Sequence, residues 1–144
     1  MFWSKKAVAE KEEWSLSEQV AAQAESLYRS GKMHCAESVL ASVKNHFAPE
    51  IPDAVVQMAN GFGGGSGAGC ICGAVSGGTM ALGLVMEGDR RAVSAMTKEL
   101  HEWFKQEYRV TCCKVLTAKG KSGCVDLTAR VAGKVAEMLD AKKN

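Results

Sequence analysis

Between Ala54 and Met86 the chain carries no charged residue, and ten residues of that stretch are glycine. Such a run is long enough to cross a bilayer, where ~20 apolar residues suffice. Six of the glycines, however, crowd between Gly61 and Gly69. A segment that loose leaves backbone polar groups open to hydrocarbon, which penalises them. The stretch therefore reads as a glycine loop leading into a buried helix, with no membrane span. From Cys72 to Met86, the residues Gly73, Ala74, Gly77, Gly78, Ala81 and Gly83 make that helix rich in small side chains. Each interior glycine costs about 0.5–1 kcal/mol relative to alanine. Gly73 and Gly77 share one face, as do Ala74 and Gly78. Close approach of another backbone, or of a bound group, is the expected compensation.

The flanking sequence is helical. Ser15-Leu16-Ser17-Glu18 is a capping box. Leu16, Val20, Ala24, Leu27 and Tyr28 follow as a stripe that Gly31 ends. A second stripe runs through Ala36, Val39, Leu40, Val43 and Phe47 and stops before Pro49. A short helix is expected from Pro52-Asp53 to Asn60-Gly61. Asp89 caps the next, with its stripe at Ala92, Val93, Met96, Leu100, Trp103 and Phe104. A short stretch follows from Cys113 to Ala118, then a turn at Gly120–Gly123. A last helix carries Val125, Thr128, Val131, Val135, Met138 and Leu139. No alternating strand pattern of useful length is present. The expectation is an all-α bundle of about six helices forming one domain over residues 1–144, with residues 1–14, between Trp3 and Trp14, as a mobile arm or docking segment. The N-terminus has no apolar h-region, so the chain reads as cytoplasmic. Its net charge is +2 with no dense basic run, which argues against nucleic acid as a partner.

Six cysteines remain to be explained: Cys35, Cys70, Cys72, Cys112, Cys113 and Cys124. In a reducing compartment they point to metal or redox chemistry more than to structural bridges. None forms a Cys-x-x-Cys pair, which argues against zinc ribbons, thioredoxin-type sites and the bacterial ferredoxin run. Placement says more than spacing. Cys35, Cys72, Cys113 and Cys124 each fall at a predicted helix start, where free N–H groups and the helix dipole favour anionic sulfur. The dipole supplies about 0.3–1 kcal/mol per thiol, too little to ionise groups with a reference pKa of about 8.5. A coordinated metal removes the proton outright. If the four converge, a metal is the economical explanation. Cys70 and Cys112 are alternates, resolving thiols or bystanders.

Cys72-Gly73-Ala74-Val75-Ser76-Gly77 resembles the signature of the redox-active family named for the pattern C_GCAxxG_C_C. Phe62-Gly63-Gly64-Gly65 precedes it and Ala81-Leu82-Gly83-Leu84 follows. Cys35-Ala36-Glu37-Ser38-Val39-Leu40 resembles the family's first cysteine block, and Cys113-Lys114-Val115-Leu116-Thr117 with Cys124 the last two. Similar sequence occurs in split-Soret cytochromes beside their haem segments, in a domain suggested to hold an iron–sulfur centre. The resemblance maps the family's four cysteines onto Cys35, Cys72, Cys113 and Cys124, and it implies redox or electron-transfer work. The extra Cys112 leaves the third ligand open between it and Cys113.

Other patterns are weaker. Gly63 to Ala68 loosely matches a dinucleotide fingerprint, but no strand precedes it. Its glycines, Gly63, Gly64 and Gly65, with Gly73 and Gly77, are better placed to bring backbone close to the thiol site or to donate N–H groups to sulfur. Gly120-Lys121-Ser122 lacks the first glycine of a Walker motif and is a turn. His34 neighbours Cys35 and reads as a cap or an occasional ligand; His46 and His101 have no visible partner. The sequence thus predicts a small redox protein holding an iron–sulfur cluster on Cys35, Cys72, Cys113 and Cys124, for electron transfer or redox sensing, and working with a redox partner protein. A metal-free dithiol protein and a zinc or soft-metal module are the alternatives. The small-residue face from Gly73 to Ala81 could also pack across a homodimer.

Overall fold

The computed structural model describes residues 13–143; the expected N-terminal arm falls almost wholly outside them. Helix α1 (Leu16–Arg29) starts as its capping box requires, with Ser15 Oγ accepting the Glu18 N–H at 3.1 Å. After a turn at Gly31 comes α2 (Cys35–Phe47), the centre of the protein: every residue from Ala36 to Lys44 is buried. The buried stem of Lys44 carries its ammonium out to the Ile51 carbonyl at 2.8 Å and to Asp53 Oδ1 at 3.2 Å. These contacts fasten the end of α2 to the next element, which is a 3-10 helix, Asp53–Phe62, where an α-helix was expected.

The small-residue helix is α3 (Gly73–Val85), with Cys72 at its N-cap. It lies along α2. A Cβ at Gly77 would overlap the Ala36 carbonyl oxygen and stand 2.8 Å from the Ala36 Cα. The backbones therefore meet where glycine permits, which offsets the helix cost of this residue. At Gly83, by contrast, a Cβ would meet nothing within 4 Å. Helix α4 (Arg90–Tyr108) turns Ala92, Met96, Leu100 and Phe104 into the core against α3. A one-turn helix α5 (Cys113–Leu116) leads to α6 (Cys124–Lys143). Helix α6 runs along α1, closed by a 2.7 Å bond from Ser17 Oγ to the Gly133 carbonyl.

Six α-helices and no named strand occur among the described residues, so the all-α class holds. Among those residues no helix is long and apolar enough to cross a membrane. The glycine loop has a definite shape. Gly64, Gly65, Ser66 and Gly67 take φ of 70°, 67°, 63° and 67°, a left-handed turn that L side chains resist. It delivers the chain to a single antiparallel bridge between Ile71 and Cys112.

Candidate functional site

One cavity of about 170 Å³ opens where the N-terminal ends of α2, α3, α5 and α6 converge. Cys35, Cys72, Cys113 and Cys124 all line it. Three of them are the first residue of their helix and Cys72 is an N-cap, so the expected helix-start placement is what the backbone shows. The volume corresponds to roughly six waters at ~30 Å³ each. Cys70 and Cys112 are not among the lining residues.

The Ile71–Cys112 bridge separates the vicinal thiols. Cys72 N–H donates to the Thr111 carbonyl at 2.7 Å, and Cys113 N–H to the Cys70 carbonyl at 2.6 Å. Ile71 and Cys112 thus sit directly opposite one another in a pair without mutual hydrogen bonds. Because side chains alternate across an extended segment, their flanking residues Cys72 and Cys113 face the other way, into the cavity. Cys112 Sγ lies 3.3 Å from the Gly69 carbonyl, outside the cavity. Cys70 is exposed, with its sulfur 3.9 Å from the Ala68 carbonyl.

The candidate glycines divide between the cavity and its surroundings. Gly64 and Gly73 line the cavity; Gly63, Gly65 and Gly77 do not. Gly65 seats Cys113 from behind, since a Cβ there would stand 2.7 Å from the Cys113 Cβ. A Cβ at Gly73 would stand 2.5 Å from Cys35 Sγ. Gly63 packs on the His34 side chain, and Gly77 meets the α2 backbone. His34 also lines the cavity, and its N–H donates to Glu37 Oε1 at 3.2 Å.

Burial dominates the electrostatics. It pushes the Cys72 thiol up to about 12, against the opposing N–H groups of Ala74 and Val75. It raises Cys35 as well, opposed by the N–H groups of Gly64 and Ala36. Cys124 is raised by burial and by neighbouring Cys113, while the Tyr28 hydroxyl and the Lys121 ammonium pull the other way. Left to themselves these thiols stay protonated at neutral pH. Among the described residues, no three or more His, Cys, Asp or Glu side chains are drawn together around the position of a single ion. The four thiols instead surround a space of several atoms' size.

Tyr28, expected on the apolar stripe of the first helix, and Lys121, expected in a turn, both reach this cavity, as do Leu116 and Thr128. The Tyr28 hydroxyl and the Cys124 thiol share the cavity, and each influences the other's titration. The position of Tyr28 at the last turn of α1 was the available signal, because a tyrosine closing an apolar stripe keeps its polar tip for a partner.

The model of the family described as "Putative redox-active protein (C_GCAxxG_C_C)" matches residues 33–138, a span that holds all six cysteines. No curated protein and no solved structure matches the chain.

Proposed function

We propose that this chain, which belongs to the C_GCAxxG_C_C redox-active family, holds an iron–sulfur cluster on Cys35, Cys72, Cys113 and Cys124 and serves in one-electron transfer. The observation that carries the reading is the convergence of four thiols, spread from position 35 to position 124, on one cavity. Thiolates are the donors that iron–sulfur clusters take. When bound, such a cluster supplies one-electron exchange with no bond made or broken in the chain.

The residues around the thiols suit that role. Gly64 and Ala36 offer N–H groups to the sulfur of Cys35, Ala74 and Val75 to that of Cys72, and the Tyr28 hydroxyl to that of Cys124. Donors of this kind stabilise anionic sulfur and raise a reduction potential. Leu116 and Leu127 limit water on the apolar side of the cavity. A lone zinc ion would need sulfurs about 2.3 Å from one centre, whereas a cavity of about 170 Å³ has room for a group of several atoms. Dithiol exchange requires a thiolate nucleophile, which the burial of Cys72 opposes. The thiols left for it are Cys70 and Cys112, on the outside.

The test is purification without oxygen, followed by a visible spectrum and assay of iron, acid-labile sulfide and zinc on one sample. A brown protein with matching iron and sulfide supports the cluster. Zinc in a colourless protein, or a folded metal-free protein with six titratable thiols, overturns it.

A further inference from the structure

The wall of the cavity has an outer side. In α5, Cys113, Leu116 and Thr117 next to it line the cavity, whereas Lys114 and Val115 are exposed. Across the bridge, Ile71 is exposed beside Cys112. Ile71, at 46% exposure, and Val115, at 58%, are two of the three large apolar side chains most open to water among the described residues. They flank the backbone whose inner side carries Cys72 and Cys113.

The charge along this segment is one-sided. From 109 to 123 the chain has four basic residues, Arg109, Lys114, Lys119 and Lys121, and no acidic one. All four are exposed. Of eighteen basic residues in the chain, that leaves fourteen against sixteen acidic ones elsewhere. The positive excess of the protein is therefore carried by this one segment. Spread over fifteen positions it makes no dense run in the sequence; Lys121 lines the thiol cavity, and Lys114 stands on the exposed side of the helix that carries Cys113.

We infer that the outer side of the bridge and α5, which exposes Ile71, Lys114 and Val115 and is flanked along the chain by Arg109 and Lys119, is the docking surface for an acidic electron-carrier protein. Opposite charge speeds encounter and selects the partner, and a small apolar contact holds it briefly. Small interfaces of this type are usual for transient redox encounters. A cluster held by Cys72 and Cys113, one residue inside this face, would accept one electron from the reduced carrier, with nothing else transferred. That electron path rests on the four-cysteine reading; the docking itself does not, and the two fail separately.

The test is titration of the isotope-labelled chain with an acidic flavodoxin, followed by NMR in the metal-free and metal-loaded forms, with basic cytochrome c and phosphatidylserine vesicles as controls. Flavodoxin should shift resonances at Ile71, Cys112, Lys114 and Val115 in both forms. Its affinity should fall roughly tenfold on raising salt beyond the range where surface charges act over about 10 Å. Lys114→Glu with Lys119→Glu should weaken it by a similar factor, and Val115→Ser by less. These residues are exposed, so amide dispersion will show the fold intact. Absence of flavodoxin binding, shifts centred elsewhere, indifference to charge reversal, or tighter binding of cytochrome c or vesicles would overturn the proposal. Loss of metal with docking preserved would instead strike only the cluster reading.

Discussion

The bundle and the cavity wall are built on opposite terms. In the bundle, long regular helices spend their backbone hydrogen bonds internally, and side-chain size decides what fits. The α2–α3 contact is its extreme, with Gly77 lying against the Ala36 backbone. The wall consists of the left-handed turn, one bridge and a one-turn helix, closed by the N-terminal ends of α2, α3 and α6 and by Tyr28 of α1. The N–H groups that act on sulfur are those of Gly64 in the turn and of Ala36, Ala74 and Val75 in the first turns of α2 and α3. Helix α3 belongs to both regions: Gly77 serves packing while its N-terminal end, with Cys72 and Gly73, faces the cavity. Stability and chemistry are thus segregated along one helix by about one turn.

The largest expected break in this comparison is Gly77→Ala. The new methyl meets backbone, which cannot rotate away, so urea denaturation should show a loss of about 3 kcal/mol, the upper end of ordinary overpacking. An unchanged midpoint would mean that α2 and α3 are less tightly joined.

The response of the metal-free protein to alkali has no single size, because it grows with pH. Burial raises the thiols of Cys35, Cys72 and Cys124, so the folded state keeps protons that the unfolded chain releases above a pH of about 8.5. Stability is full below that pH and falls as pH rises toward about 12, where Cys72 titrates. The slope is about 1.4 kcal/mol per pH unit for each retained proton. Urea midpoints at neutral and alkaline pH measure it, and a flat profile would place the thiols in water.

The smallest effect runs the other way. Gly83 is exposed with open space at its Cβ, so Gly83→Ala should stabilise α3 by about 0.5–1 kcal/mol. A destabilised Gly83→Ala would reveal a contact on that face, such as a second copy of the chain.

The bundle was readable in the sequence because apolar spacing and caps act locally: the Leu16–Tyr28 stripe and the Ser15 cap became α1 almost residue for residue. The grouping of Cys35, Cys72, Cys113 and Cys124 was readable for the same reason, since each sits at a helix start. The shape of the glycine segment was not, because glycine permits several backbones and only the tertiary bridge selects one. Nor could the sequence separate Cys112 from Cys113, neighbours whose directions depend on pairing with Ile71, forty-one positions away. Gly77 carried an open alternative, packing or ligand, and only the position of Ala36 distinguishes them.

That vicinal pair offers the most direct test of the central claim. Cys112→Ser and Cys113→Ser differ by one position on the same short segment, so expression and folding are closely matched. Iron and sulfide per chain should remain at the wild-type value in Cys112→Ser and be lost in Cys113→Ser, with both variants equally helical. Metal lost from Cys112→Ser and retained in Cys113→Ser would contradict the account.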